Sequence, residues 1–214
     1  MKSALLAAQD FCRRFGLRAP ILLAPMAGAS PPTLSIAVSQ AGGLGACGAL
    51  LMKPDEIIAW AEEFRRGSDG PFQINLWIPD PPALRNPTHE ARLREFLANW
   101  GPGVPEGAGD QTPPDFEAQC EALLEVSPPI VSSIMGLYPP AFVTRLRQRG
   151  IRWFANISTV AEARAAEKAG GTYSWPRAWR QEGIEVASMR RMRNGNRWDC
   201  LRLCLPCATR SNCL

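Results

Sequence analysis

Along residues 1–170, short apolar runs that end on small or polar side chains alternate with longer stretches whose apolar positions recur every three to four residues. The first kind reads as buried strand and the second as amphipathic helix. ILLAPMAG (21–28), LGACGAL (44–50), FQINLWI (72–78), IVSSI (130–134) and IRWFANI (151–157) are the predicted strands. The helical patterns are PPTLSIAVSQAGG (31–43), KPDEIIAWAEEFRRG (53–67), PPAFVTRLRQRG (139–150) and STVAEARAAEKAG (158–170). Ser30 with two prolines, Pro54 with Asp55, and Ser158 as an N-cap mark helix starts, whereas Gly42–Gly43 and Arg65–Arg66 mark ends. The long connection from Pro79 to Pro128 carries two further helical patterns, roughly 88–99 and 114–126, around the loop GPGVPEGAGDQTPP. Five β-then-α units in succession predict parallel strands with right-handed crossovers. An open doubly wound sheet and a (β/α)8 barrel share that pattern, so this reading leaves both open.

Composition places this chain among ordinary globular proteins: 214 residues with 46% hydrophobic content bury one sizeable core. None of its apolar runs approaches the ~20 residues of a spanning helix. The opening stretch MKSALLAAQDFCRRFG meets Asp10, Arg13 and Arg14, and reads as an amphipathic helix rather than a signal peptide. A cytoplasmic location and no membrane partner are therefore expected.

Charge and residue usage break at about Gly171. Residues 1–170 hold 16 Lys+Arg against 17 Asp+Glu, whereas residues 171–214 hold 8 against 3, no Lys, four of the seven Cys and three of the seven Trp. The expected organisation is an α/β portion over 1–170 and an aberrant, basic, Cys- and Trp-rich tail over 171–214.

Ligands of parallel α/β folds sit beyond the C-terminal ends of the strands, which directs attention to the residues where strand becomes loop. These are Ala24-Pro25-Met26-Ala27-Gly28, Cys47-Gly48-Ala49, Gln73-Ile74-Asn75, Ser132-Ser133 and Asn156. Small, amide-bearing and thioether side chains without strong charge suit a flat aromatic cofactor that needs close backbone approach and a few hydrogen bonds. Singly, each is an ordinary core or turn residue.

As an ordered set, APMAGAS-PPTLSIAVSQAGGLGACGAL, PFQINLWIPDPP, SSIMGLYPP and FANISTVAEARAAEKAG resemble the nitronate monooxygenases, formerly 2-nitropropane dioxygenases, over nearly all of residues 18–170. Dihydrouridine synthases and other FMN barrels share the PMAG-like first strand; the AGGLGACGAL element and the QIN strand favour the nitronate family. The resemblance implies an α/β fold of the (β/α)8 TIM-barrel type, FMN as cofactor, and oxidation of alkyl nitronates by O2. By motif, Met26 with Ala24 and Ala27 would line the flavin ring and Asn75 would hydrogen-bond to it, with Gln73 and Asn156 at equivalent strand ends. Where family members often carry a His or aromatic residues, this chain has Ser133, Ile134 and Met135.

The family continues with a strand of the type D-V-I-V-A-Q-G and then E-A-G-G-H-R-G, which supply phosphate-binding glycines and the catalytic His. Here the chain reads GTYSWPRAWRQEGIEV instead. A one-nucleotide shift near Gly170 lets Gly171 through Val186 be reread as D-V-L-V-A-Q-G-(M/V)-E-A-G-G-H-R-G, with the His at the junction of the Gly183 and Ile184 codons. The tail is accordingly expected to be out of frame, leaving an incomplete barrel of about five β/α units with an irregular C-terminal tail. No catalytic residue can then be assigned, and self-association through open barrel edges is expected. The alternatives are an inactive flavin-binding fragment or another FMN-barrel oxidoreductase, dihydrouridine-synthase-like or enoyl-reductase-like. Cys200, Cys204, Cys207 and Cys213 could bind a soft metal, and Arg190, Arg191, Arg193 and Arg197 with Trp198 could meet nucleic acid. Neither forms a recognisable module, so no metal and no nucleic acid are expected. His89, the only His, is expected to be a solvated residue at a helix start.

Overall fold

A computed structural model describes residues 4–81, 84–110, 113–171 and 173–176. Its centre is a five-stranded parallel sheet in the order β1-β2-β3-β4-β5: Gly45–Gly48, Phe72–Trp77, Ile130–Ile134, Arg152–Ile157 and Tyr173–Pro176. Sequential order without a reversal belongs to a strip of barrel wall; a doubly wound sheet would switch direction. The helices are α1 (Ala4–Phe15), α2 (Pro32–Gln40), α3 (Pro54–Gly67), α4 (Pro87–Ala98), α5 (Phe116–Val126), α6 (Pro140–Gln148) and α7 (Val160–Lys168). Every helix predicted from periodicity is present, with ends shifted by a few residues. None of the described helices is long and apolar enough to cross a membrane.

Strand periodicity divides the side chains between two faces. Cys47 and Ala49 of the β1 segment, Phe72, Ile74 and Leu76 of β2, Val131 of β3, and Trp153, Ala155 and Ile157 of β4 join the main core with Ile57, Trp60 and Phe64 of α3, Leu123 of α5 and Leu146 of α6. The opposite face carries a smaller cluster, in which Cys12, Phe15 and Leu17 cover Leu44, Ile130 and Phe154 and close the N-terminal end of the sheet. Arg152 joins this floor by donating to Arg14 O at 2.7 Å while its guanidinium lies 4.7 Å from the Phe15 ring centre.

Three expectations need correction. Residues 21–28 do not form a regular strand: they run beside β1 through two isolated parallel bridges, Leu22 with Leu44 and Ala27 with Gly48. Pro20 and Pro25 lack the amide hydrogens that an extended ladder needs. Ser158 is not an N-cap, since α7 starts from Thr159, whose hydroxyl accepts from Glu162 N at 3.2 Å. Finally, β5 lies beyond Gly170, where irregular chain was expected, and pairs in parallel with β4 from Phe154–Tyr173 to Ile157–Pro176. Tyr and Trp favour extended backbone, and a proline is tolerated at a sheet edge, so this stretch suits the place whatever its reading frame. The tail cysteines and arginines lie outside the described residues.

Candidate cofactor site at the strand ends

Because the odd-numbered positions of β2 point away from the helices, Gln73, Asn75 and Trp77 share the barrel-interior face with Ala46 and Gly48, with Ile130, Ser132 and Ile134, and with Phe154 and Asn156. The register places Gly48 beside Asn75, Asn75 beside Ser132, and Ser132 beside Phe154. Thus an apolar floor, a middle layer bearing amides and hydroxyl, and an upper rim of Trp77, Ile134 and Asn156 follow one another toward the strand C-termini.

The middle layer is only partly satisfied. Buried Asn75 donates through Nδ2 to Ser132 Oγ at 3.0 Å, and no described residue donates to its Oδ1. Gln73 Nε2 donates to Leu23 O at 3.3 Å, and its Oε1 is likewise left without a partner among the described residues. Half-buried Asn156 makes no side-chain hydrogen bond to a described residue. Buried amides ordinarily find partners, so three incompletely paired amides on one face are the pattern of a surface that receives a polar ligand.

The 24–28 loop reaches this face through three devices. A Cβ on Gly48 would lie 2.6 Å from Ala27 N and 2.7 Å from Met26 C, so only glycine lets the Met26–Ala27 peptide rest on the end of β1. Ser30 locks the loop: its hydroxyl accepts from Met26 N at 3.0 Å and donates to Ala24 O at 3.2 Å, while its carbonyl accepts from Trp60 Nε1 at 3.3 Å. Gly28, at φ +75°, supplies the left-handed turn. Met26 and Ala24 are half-buried and Ala27 is exposed. Beside the loop opens a cleft of about 460 Å³ lined by Ala27, Gly28, Ser30, Gly48, Met52 and Trp60. A second cleft of about 480 Å³, lined by Arg18, Gln40, Ser68 and Asp69 among others, lies at the opposite end of the sheet, away from these residues.

Several strand-end residues singled out in the sequence face the wrong way. Cys47, Ala49 and Ser133 point to the helices, as a period of two demands. Ser133 instead fixes the turn after β3, accepting from Trp153 Nε1 at 3.0 Å and donating to Gly136 O at 3.1 Å. Burial pushes the Cys47 thiol up to about 12, which keeps it protonated and excludes it as a nucleophile. Tyr138 is likewise raised by burial and remains a donor, to Ser132 O at 3.0 Å. Sequence reasoning missed the Ser30 clamp and the rim position of Trp77; the alternation in FQINLW could have revealed Trp77, but nothing local foretold the clamp. His89 is exposed in the first turn of α4, as expected. Among the described residues no group of three His, Cys, Asp or Glu could hold a metal.

A sequential parallel strip with an apolar floor at one end defines part of an α/β barrel wall. Residues 11–178 match the family model for nitronate monooxygenase, and the chain belongs to that family. It is 34% identical over 161 residues to the nitronate monooxygenase of Paraburkholderia phytofirmans, covering 72% of this chain and 44% of that protein. The corresponding Pseudomonas aeruginosa protein is 32% identical over 195 residues, covering 88% of this chain and 54% of that one. In structure the chain is similar to nitroalkane oxidase from Streptomyces ansochromogenes, with a TM-score of 0.62 and 29% identity over 78% of this chain and 47% of that chain. FabK from Thermotoga maritima shares the fold, with a TM-score of 0.56 and 24% identity over 77% and 42%. The chain thus spans about half the length of the curated relatives it matches.

Proposed function

We propose that residues 1–170 are the flavin-ring half of an FMN-dependent oxidoreductase of the nitronate monooxygenase type, acting on small alkyl nitronates with O2. The observation that carries this reading is the set of amides that the described residues leave incompletely paired on one face, Gln73, Asn75 and Asn156, beside a peptide that Gly48 allows to rest on the end of β1. Asn75 and Asn156 stand two strands apart and two residues apart in level, about 12 Å at ordinary strand geometry. That span suits amide contacts to opposite ends of a three-ring flavin. Met26, Ala24 and Ala27 supply the close, weakly polar wall the ring needs, held there because Gly48 leaves room for the Met26–Ala27 peptide. The flavin, when bound, supplies the redox chemistry; the residues of this chain bind and orient it.

Two functions have no described residue to perform them. No cationic side chain or glycine-rich turn receives a phosphate at the rim, and no imidazole faces the interior, since His89 sits on α4. We infer that the segment after Gly170 is the out-of-frame counterpart of the part that delivers both, so the chain as written is impaired in FMN affinity and turnover. A chain confined to the cytoplasm and associating through the open β5 edge completes this reading. Titration with FMN, followed by flavin fluorescence, together with O2 uptake on an alkyl nitronate tests it. Weak binding without turnover is expected; submicromolar binding with turnover would refute the impairment, and no binding at millimolar FMN would refute the flavin site.

A further inference from the structure

At the C-terminal end of the sheet, the first turn of α5 carries an amide among apolar side chains. Gln119 is 4% exposed, and Cys120, Leu123 and Leu124 of the same helix belong to the main core. Its side chain reaches back 67 to 70 residues: Nε2 donates to Met52 O at 2.7 Å and Ala49 O at 3.1 Å, with Leu50 O at 3.4 Å. Three main-chain carbonyls of the turn between β1 and α3, residues 49–53, thus converge on one amide group. Leu51 and Met52 of this turn line the cleft beside the 24–28 loop, and Met52 Sδ lies 3.6 Å from Cys47 Sγ. From the other side, Ala49 N donates to Asn75 O at 3.0 Å. The residue after Gly48 is therefore pinned between Gln119 and the strand that bears Asn75. Burying an amide carries a desolvation cost that its hydrogen bonds largely offset. An aliphatic side chain would fill the core as well; the amide adds a fixed place for the turn.

We propose that Gln119 is a positioning residue for the cofactor site: it holds the β1–α3 turn, and through Ala49 the adjoining ends of β1 and β2, where Gly48 seats the Met26–Ala27 peptide and Asn75 faces the ring. This role rests on the flavin reading above. Without the amide, the carbonyls of the turn must find water, and the turn moves outward, unseating the end of β1 and uncovering Cys47.

Three full-length variants test the role. Gln119→Met keeps the side chain's length and removes its donors, Gln119→Glu keeps its shape, and Leu123→Ala weakens the same core one turn further along α5 without touching the turn. In FMN titrations followed by flavin fluorescence, Gln119→Met is expected to lower affinity at least about tenfold and Leu123→Ala to change it less than about twofold. Unchanged affinity in Gln119→Met, or equal weakening by Leu123→Ala, would overturn the proposal. Iodoacetamide labelling at about pH 8, mapped by mass spectrometry, reads the turn without flavin. Cys47 of Gln119→Met is expected to react at least about tenfold faster than in the wild type, while Cys12, in the floor at the other end of the sheet, keeps its rate. An unchanged Cys47 rate, or acceleration of both thiols together, would overturn the hold on the turn. If Gln119→Met does not fold, Gln119→Glu replaces it in both measurements with the same expected directions, since an ionised carboxylate donates nothing to the three carbonyls. A wild type that binds no FMN would remove the flavin reading and the positioning role with it, whereas the Cys47 rates would still decide whether Gln119 holds the turn.

Discussion

The two faces of one sheet differ in completeness. On the helix side, Ile74, Leu76, Val131, Trp153 and Ala155 meet α3, α5 and α6 in a closed apolar core whose few polar groups are paired, as Trp153 Nε1 is with Ser133 Oγ. On the interior side the apolar floor ends at Ile130 and Phe154, and above it stand Gln73 and Asn75, whose amide oxygens no described residue meets. The first face is finished by this chain's own residues. The second ends in amides that the described residues leave incompletely paired, and the contrast separates what holds the sheet together from the face on which the proposed site stands.

The largest expected effect is on the unfinished face. If the gene is read with one nucleotide restored near the Gly170 codon, the resulting chain gains the glycines and the His, and turnover of an alkyl nitronate should rise by at least about 10²-fold. Oxygen uptake on the two purified proteins measures it, and codons incompatible with D-V-L-V-A-Q-G would end the frame hypothesis outright. On the finished face, Trp153→Ala should destabilise by about 3–5 kcal/mol in urea denaturation, because it empties a core site and strips Ser133 of its donor. A loss under 1 kcal/mol would mean that the helix-side core is not what holds the sheet.

Asn75→Ala should separate the two faces most directly. Stability should fall by only about 1 kcal/mol, the worth of one hydrogen bond to Ser132, while FMN binding weakens about tenfold. Equal, large losses in both would make Asn75 a structural residue. The smallest effect is chemical. The Cys47 thiol, ordinarily at 9.0 and pushed up to about 12 by burial, binds its proton more tightly folded than unfolded. Its contribution to stability is complete below about pH 9 and is lost as pH rises toward 12. Melting curves from pH 8 to 11 should decline less steeply in Cys47→Ala, and the native thiol should resist alkylation at pH 8.

The helices, four of the five strand positions and the strand-end residue types were legible because periods of 2 and 3.6 are local properties. The family assignment was legible because APMAG, AGGLGACGAL and QIN recur as an ordered set. Direction was also implicit: the alternation in FQINLW already places Gln73, Asn75 and Trp77 on one face. Three things were not local. The prolines at 20 and 25 reduced the first strand to two bridges only because β1 lies alongside. Ser30 became a loop clamp because Trp60 Nε1, 30 residues on, meets its carbonyl while its hydroxyl joins Met26 N to Ala24 O.

The third is the inversion of α4. Its sequence shows an ordinary amphipathic stripe, and burial of that stripe is what periodicity alone would forecast. Only the tertiary arrangement, in which Arg85 and Glu106 reach the charged face, turns Leu93, Phe96 and Trp100 outward. The sequence by itself determined which segments are helix or strand and which chemistry their ends carry, since those depend on neighbours a few residues away. Which amides the described residues leave incompletely paired, and which way the apolar stripe of α4 faces, was decided by groups far apart in the chain, because hydrogen bonding and burial are settled by whatever arrives at the same place.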